Sequence, residues 1–307
     1  MSTIYIHKPL VSLKGLAVKG FMRLIGFKRN FTNKIKRSNF KTRPAPFPKS
    51  FIDKFIVNTM EVHTRKVWEI IPKSNTSGLY IFYLHGGGYV HNISKQHWQF
   101  IARLIRDTGA IVIVPDYPLA PETTAKISFS MVEASYKLLL DKTSSEKIIL
   151  MGDSAGGGFA LALAQKLRNG NLPLPLQIIL LSPFLDASML NPEIKSNEKK
   201  DPWLSVEGTK IAGKYWAGGL DVKNPLISPI YGSMEDLPQI SVFIGGNDIL
   251  LADNRKLKRI MEESKLPFNY FEYPTMFHVW VLVTILKEAK AAIHQIVEII
   301  TTNVKND

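Results

Sequence analysis

Five short stretches of the chain are apolar without a polar face: Leu79–Leu84, Ile111–Val114, Lys147–Met151, Gln177–Leu181 and Ile240–Ile244. A strand that alternates and still shows no polar side is buried on both faces, which is the habit of parallel sheets covered by helices. Between these runs lie stretches of helical period at about 95–108, 127–142, 155–169 and 253–265, with a last one at about 281–300. Strand and helix in alternation predict an α/β fold, a mostly parallel central sheet flanked by helices. Ligands of such sheets bind beyond the carboxyl ends of the strands.

Two segments stand outside the alternation, residues 1–50 and about 187–216. They divide the chain into 1–50, a first core part 51–186, an inserted segment 187–216 and a second core part 217–307. Within the first segment Leu10, Leu13, Ala17, Phe21 and Leu24 share one helical face, with Lys19 and Arg23 opposite. That pattern predicts a helix packed through the Leu10–Leu24 face on the rest of the protein.

Composition alters this picture in two places. The 307 residues contain no Cys, which excludes disulfides, thiolate metal sites and a Cys nucleophile. The net charge of +13 is confined to one end: residues 1–50 hold 12 Lys and Arg and no acid, leaving 27 bases against 26 acids elsewhere. A neutral body argues against a nucleic-acid partner. Lys14, Lys19 and Arg23 interrupt the only apolar stretch near the start, so neither stable membrane insertion nor a cleaved signal is expected, and a cytoplasmic location follows. Contact of the basic segment with an anionic surface is the remaining alternative for it.

Chemistry gathers at two predicted strand ends. After the strand at 147–151 stands Gly152-Asp153-Ser154-Ala155-Gly156, followed by an apolar helix. Gly-x-Ser-x-Gly at such a junction makes a turn too sharp for larger neighbours, and it presents the Ser hydroxyl at a helix N-terminus. After the strand at 79–84 stands His85-Gly86-Gly87-Gly88, whose bare backbone N–H groups can donate to a developing oxyanion. No Gly-Lys-Ser/Thr follows, so this is not a phosphate loop. No His-x-x-x-His pair or Cys cluster calls for a metal, and nothing calls for an organic cofactor.

With both motifs in this order, the chain resembles the hormone-sensitive-lipase-like family of α/β-hydrolase fold carboxylesterases. Asp116-Tyr117-Pro118-Leu119-Ala120-Pro121-Glu122 and Ser182-Pro183-Phe184-Leu185-Asp186 extend the likeness, which covers about residues 75–285. The resemblance implies a Ser-His-Asp triad in the chain order Ser, acid, His. Ser154 is its nucleophile. Of the two histidines that follow, His278 lies in a loop where the family places the catalytic His, whereas His294 sits inside a helix that packs on the core. The acid falls on Asp248; Asp253, five residues on, is read as a helix N-cap. Gly87, Gly88 and Ala155 match the family's oxyanion-hole positions. His85, Asp153 and Glu122 are assigned to holding the loops.

This chain departs from the family at Pro118 for Arg, at Ile249 for Pro, and at Val279-Trp280 where the family has Gly-Phe. The resemblance also makes residues 1–50 and 187–216 a helical cap over the site. Phe21, Met22, Trp203 and Trp216 are then candidates for an acyl pocket, and the substrates are small short-to-medium-chain esters. Homodimers occur in the family. The rival reading is a non-catalytic small-molecule binding protein on the same fold, which the filled triad positions disfavour.

Overall fold

The computed structural model describes residues 2–302. The chain enters as β1 (Thr3–Ile6), α1 (Leu13–Leu24), α2 (Phe27–Lys36) and a short α3 (Lys49–Ile52). The hairpin strands β2 (Phe55–Val62) and β3 (Arg65–Pro72) follow, then β4 (Tyr80–Leu84), α4 (Lys95–Thr108), β5 (Ile111–Pro115) and α5 (Ala125–Leu140). Next come β6 (Ile148–Asp153), α6 (Ala155–Asn169) and β7 (Gln177–Leu181), then α7 (Ile194–Glu198) and α8 (Val206–Ala217). The chain closes with β8 (Gln239–Asn247), α9 (Leu251–Glu263), β9 (Phe268–Phe277) and α10 (Lys287–Thr302).

Among the described residues nine strands form one sheet in the order β1-β9-β8-β7-β6-β4-β5-β3-β2, parallel except where β3 pairs with β2 and β5. The expected α/β fold is therefore present, and each of the five doubly apolar runs is a strand inside the sheet. Burial explains this directly, since all five residues of β5 and of β7 are buried. Two apolar layers enclose the sheet, one built with α5, α6 and α9, the other with α4 and α10.

Three features differ from the sequence expectation. Thr3–Ile6, inside the segment set apart from the alternation, pairs with β9 at the sheet edge. The last helix begins at Lys287 rather than near 281, because Val279 is left-handed (φ 46°) and Trp280–Leu282 form a 3₁₀ turn. The third concerns α1, which does not pack through the Leu10–Leu24 face. Leu10, Leu13, Phe21 and Leu24 are 95%, 84%, 60% and 85% exposed. The opposite stripe docks instead: Gly15 and Met22 are buried, and Val11 and Val18 pack on the α10 side of the core. Gly15 permits this approach, since a Cβ there would already touch Val11 and the Glu288 carboxylate at 3.1 and 3.3 Å. Glu288 of α10 then accepts hydrogen bonds from the Ser12 backbone N–H (2.6 Å) and hydroxyl (2.9 Å), fixing the entry of the helix.

Candidate active site

The end of β6 and the start of α6 meet at Ser154, whose φ of 51° and ψ of −120° lie outside the ordinary regions for a side-chain-bearing residue. Strain of this kind persists only where the surroundings impose it. Here a Cβ on Gly152 would fall 2.3 Å from the Gly156 carbonyl oxygen, and one on Gly156 would fall 2.0 Å from that of Leu84. The two glycines of Gly-x-Ser-x-Gly are thus required by contact between strand and helix. Ser154 is partly exposed while its neighbours are buried, and its N–H donates to the Leu181 carbonyl at 2.8 Å.

His278 follows β9, and its Nε2 lies 2.8 Å from Ser154 Oγ. Its Nδ1 lies 2.8 Å from Asp248 Oδ2 beyond the end of β8. Asp248 is fully buried, and its other oxygen accepts the Leu250 N–H at 2.9 Å. Burial would lower the His278 pKa, but the Asp248 charge and hydrogen bond, helped by Asp201 and Asp153, raise it above its ordinary value. Such an arrangement can take the hydroxyl proton and hold it as a stabilised imidazolium.

The glycine loop is pinned from below. Asp153 accepts hydrogen bonds from the Tyr83 hydroxyl (2.6 Å) and the Gly86 N–H (2.9 Å), with His97 Nε2 3.2 Å away. Burial opposes its ionisation, yet His97 and these donors hold the carboxyl below its usual range. Gly87 has φ 124°, and a Cβ there would strike the His91 carbonyl oxygen at 2.3 Å, so only glycine fits. Ala155 opens α6, where N–H groups have no partner within the helix. His85 is buried, stacked on Tyr117 at 4.4 Å with Nδ1 2.8 Å from the Gly86 carbonyl; burial and nearby His97 push its pKa down to about 3. Neutral His85 is therefore a fixture of the loop. Glu122, by contrast, is exposed and does not line the site.

A cavity of about 360 Å³ opens over Ser154 and His278. Its wall comes from the glycine loop and from both segments outside the alternation: Phe27, Phe31 and Ile35 of α2, Trp203 and Leu204, and Thr209 and Ala212 of α8. Of the four residues expected to line an acyl pocket, only Trp203 does so. Phe21 points to solvent, Met22 sits under α1, and Trp216 is buried against Tyr89, stacked at 4.1 Å. Phe27 takes the place expected of Phe21, meeting Trp203 edge-on at 5.1 Å.

Two other expectations change. Asp253 is not an N-cap but stands in the first turn of α9, where Asn191 Nδ2 donates to it at 2.9 Å. His294 is on a helix that packs on the core, but its ring faces outward beside Glu298. One residue with a place at the site carried no sequence signal. Asp201, in the charged run before α8, is buried and accepts the N–H groups of Trp203 (2.7 Å), Leu204 (2.9 Å) and Ile249 (2.9 Å). Burial and the charge of Asp248 push its pKa up to about 7. The inserted segment is thereby tied to the loop that carries Asp248, and Asn197 adds a bond to the Asp248 carbonyl at 2.9 Å.

Among known proteins, an alpha/beta hydrolase fold family matches residues 81–282, more than half of the chain. An esterase of Acinetobacter venetianus is 30% identical over 230 residues, 72% of this chain and 74% of that one. An acetyl-hydrolase of Streptomyces hygroscopicus is 29% identical over 213 residues, 69% of this chain and 71% of its own. A solved esterase from the bacterial hormone-sensitive lipase family superposes with a TM-score of 0.82 at 28% identity, covering 96% of this chain and all of that one. The EstE5 crystal soaked with p-nitrophenyl butyrate superposes with a TM-score of 0.81 at 25% identity, covering 95% and 99%. Motif order, sheet topology and these likenesses agree, and the chain belongs to the hormone-sensitive-lipase-like branch of the α/β-hydrolase fold family.

Proposed function

We propose that this chain hydrolyses carboxylic esters through a Ser154-His278-Asp248 triad. The observation that carries the reading is the unbroken contact from Ser154 Oγ through the imidazole to Asp248, two links of 2.8 Å at the floor of an open cavity. Ser154 Oγ attacks the ester carbonyl while His278 Nε2 takes its proton, and the same imidazolium then protonates the departing alcohol. Water, activated by His278, attacks the resulting acyl-serine and frees the acid. Asp248 fixes the tautomer and stabilises the imidazolium. The N–H groups of Gly87, Gly88 and Ala155 receive the negative charge of the tetrahedral intermediate, a contribution worth about 3 kcal/mol per donor in comparable sites.

Residues 1–50, apart from β1, and residues 187–216 act as a cap in this reading. Support comes from the cavity wall they supply and from the bonds between them: Thr32 to Ser205 at 2.7 Å and Lys36 to Glu207 at 2.7 Å. The wall is mostly apolar and the cavity small, which favours short-to-medium acyl chains over triacylglycerol. A cytoplasmic site of action belongs to the same proposal; among the described residues no helix is long and apolar enough to cross a membrane. Hydrolysis of p-nitrophenyl esters of graded chain length, with Ser154→Ala as control, tests it. The expected profile peaks at short chains and vanishes in the variant. A wild type no faster than Ser154→Ala would overturn it.

A further inference from the structure

The stripe of α1 turned away from the protein is as apolar as the stripe that docks it. Leu10, Leu13, Phe21 and Leu24 stand 95%, 84%, 60% and 85% exposed, and Leu16 adds to them at 46%. Exposed apolar residues scattered singly need no explanation, but a contiguous row of large ones does. At 100° per residue Leu13, Leu16, Phe21 and Leu24 fall within one face of α1, and Leu10 precedes the helix. The flanks of this strip are basic. At 100° per residue Lys14 and Arg23 project on either side of the strip, and both are exposed.

The rest of the N-terminal segment shares that sign. The first 50 residues contain no acid, and Lys8 and Arg29, just before and after the helix, are also exposed. A protein partner with an apolar groove would not need this one-sided charge. A layer with an apolar interior under an anionic skin matches both properties at once.

We propose that α1 is a surface-docking helix for anionic lipid bilayers. The helix lies in the plane of the interface, its Leu10–Leu24 strip sunk among the acyl chains and its flanking bases at the headgroups. Its inner stripe, Val11, Gly15, Val18 and Met22, stays on the protein, held by the Ser12–Glu288 bonds, so docking requires no unfolding. The same chain segment continues into α2, which walls the cavity, so a docked protein would draw substrate that partitions into the lipid surface. This surface is separate from the triad, and its test does not depend on hydrolysis.

The experiment is co-sedimentation of the full chain with vesicles of phosphatidylcholine containing about a third phosphatidylglycerol, and with phosphatidylcholine alone, at low and high salt. The expected result is binding to the anionic vesicles only, weakened by salt, and reduced at least about tenfold in the Leu13→Ser/Phe21→Ser/Leu24→Ser variant. Hydrolysis of a soluble ester and the melting temperature of that variant should match the wild type, which separates lost docking from lost fold. Wild type that stays in the supernatant at low salt would overturn the proposal, as would a variant that binds equally well. So would light scattering that shows a wild-type dimer dissolved by the three substitutions, since a second copy would then cover the strip.

Discussion

Gly156→Ala isolates the contact that shapes the nucleophile turn. By intrinsic propensity the change should help, since alanine inside a helix is favoured over glycine by about 1 kcal/mol. The structure predicts the opposite sign. The new Cβ would sit 2.0 Å from the Leu84 carbonyl oxygen, 2.5 Å from that of His85 and 2.6 Å from the His85 carbonyl carbon. Ordinary contact needs more than 3 Å, so backbone on one side must move by about 1 Å. Leu84 cannot swing freely, because β4 is held in register with β6 at Leu84↔Gly152. The displacement therefore falls on the His85–Gly88 loop or on Ser154 itself. Overpacking of this kind costs about 1–3 kcal/mol of stability, and a 1 Å misplacement of catalytic groups costs about 100-fold in rate. Steady-state hydrolysis of p-nitrophenyl butyrate and a thermal melt read both quantities. Gly20→Ala on exposed α1, with nothing within 4 Å of its added Cβ, is the control that should gain stability. A Gly156→Ala protein with wild-type kcat and a raised Tm would mean that the strand–helix contact does not shape the turn.

Two further outcomes follow from the electrostatics of the site. Only neutral His278 can accept the Ser154 proton, and its raised pKa keeps it protonated to higher pH, so activity falls on the acid side with a midpoint above the ordinary histidine value. Asp248→Asn removes the main charge that raises it; the acid midpoint of kcat/KM should move down while kcat drops by about 10⁴. An unmoved midpoint would contradict the assignment. Asp201→Ala leaves three buried or half-buried N–H groups without their acceptor, and urea unfolding should show a loss of about 3 kcal/mol. An unchanged unfolding midpoint would mean that the inserted segment is not tied to the Asp248 loop in this way.

The legible parts of the fold were those where burial is two-sided. β4, β5, β6, β7 and β8 read as strands because both faces are covered, whereas β2 buries only Phe55 and Val62 and shows no continuous apolar run. β1 is four residues at a sheet edge, recognisable only through its partner β9. The nearness of Ser154 to His278 and the turns at Gly152, Gly156 and Gly87 were legible because the two glycine motifs demand backbone shapes that few other uses explain. Side-chain direction was not. The periodicity of α1 contains two apolar stripes, and the choice between them rests on Gly15 and on Glu288, far away in sequence. The same rotation carries Phe21 out to solvent, and the cavity wall falls to Phe27 and Phe31 of the next helix. Asp201 was invisible because its tie to the site is a single backbone donor, Ile249, from a distant loop, and it stands in a charged run that otherwise reads as solvated surface.

Attack by Ser154, activated by His278, is the step on which the proposed hydrolysis stands. Intact-protein mass spectrometry after treatment with an organofluorophosphonate measures this most directly. The expected result is a single phosphonyl adduct, mapped to Ser154, whose formation slows by at least about 100-fold in His278→Gln. An adduct on another residue, no adduct at all, or labelling of Ser154 at the same rate without His278 would contradict it.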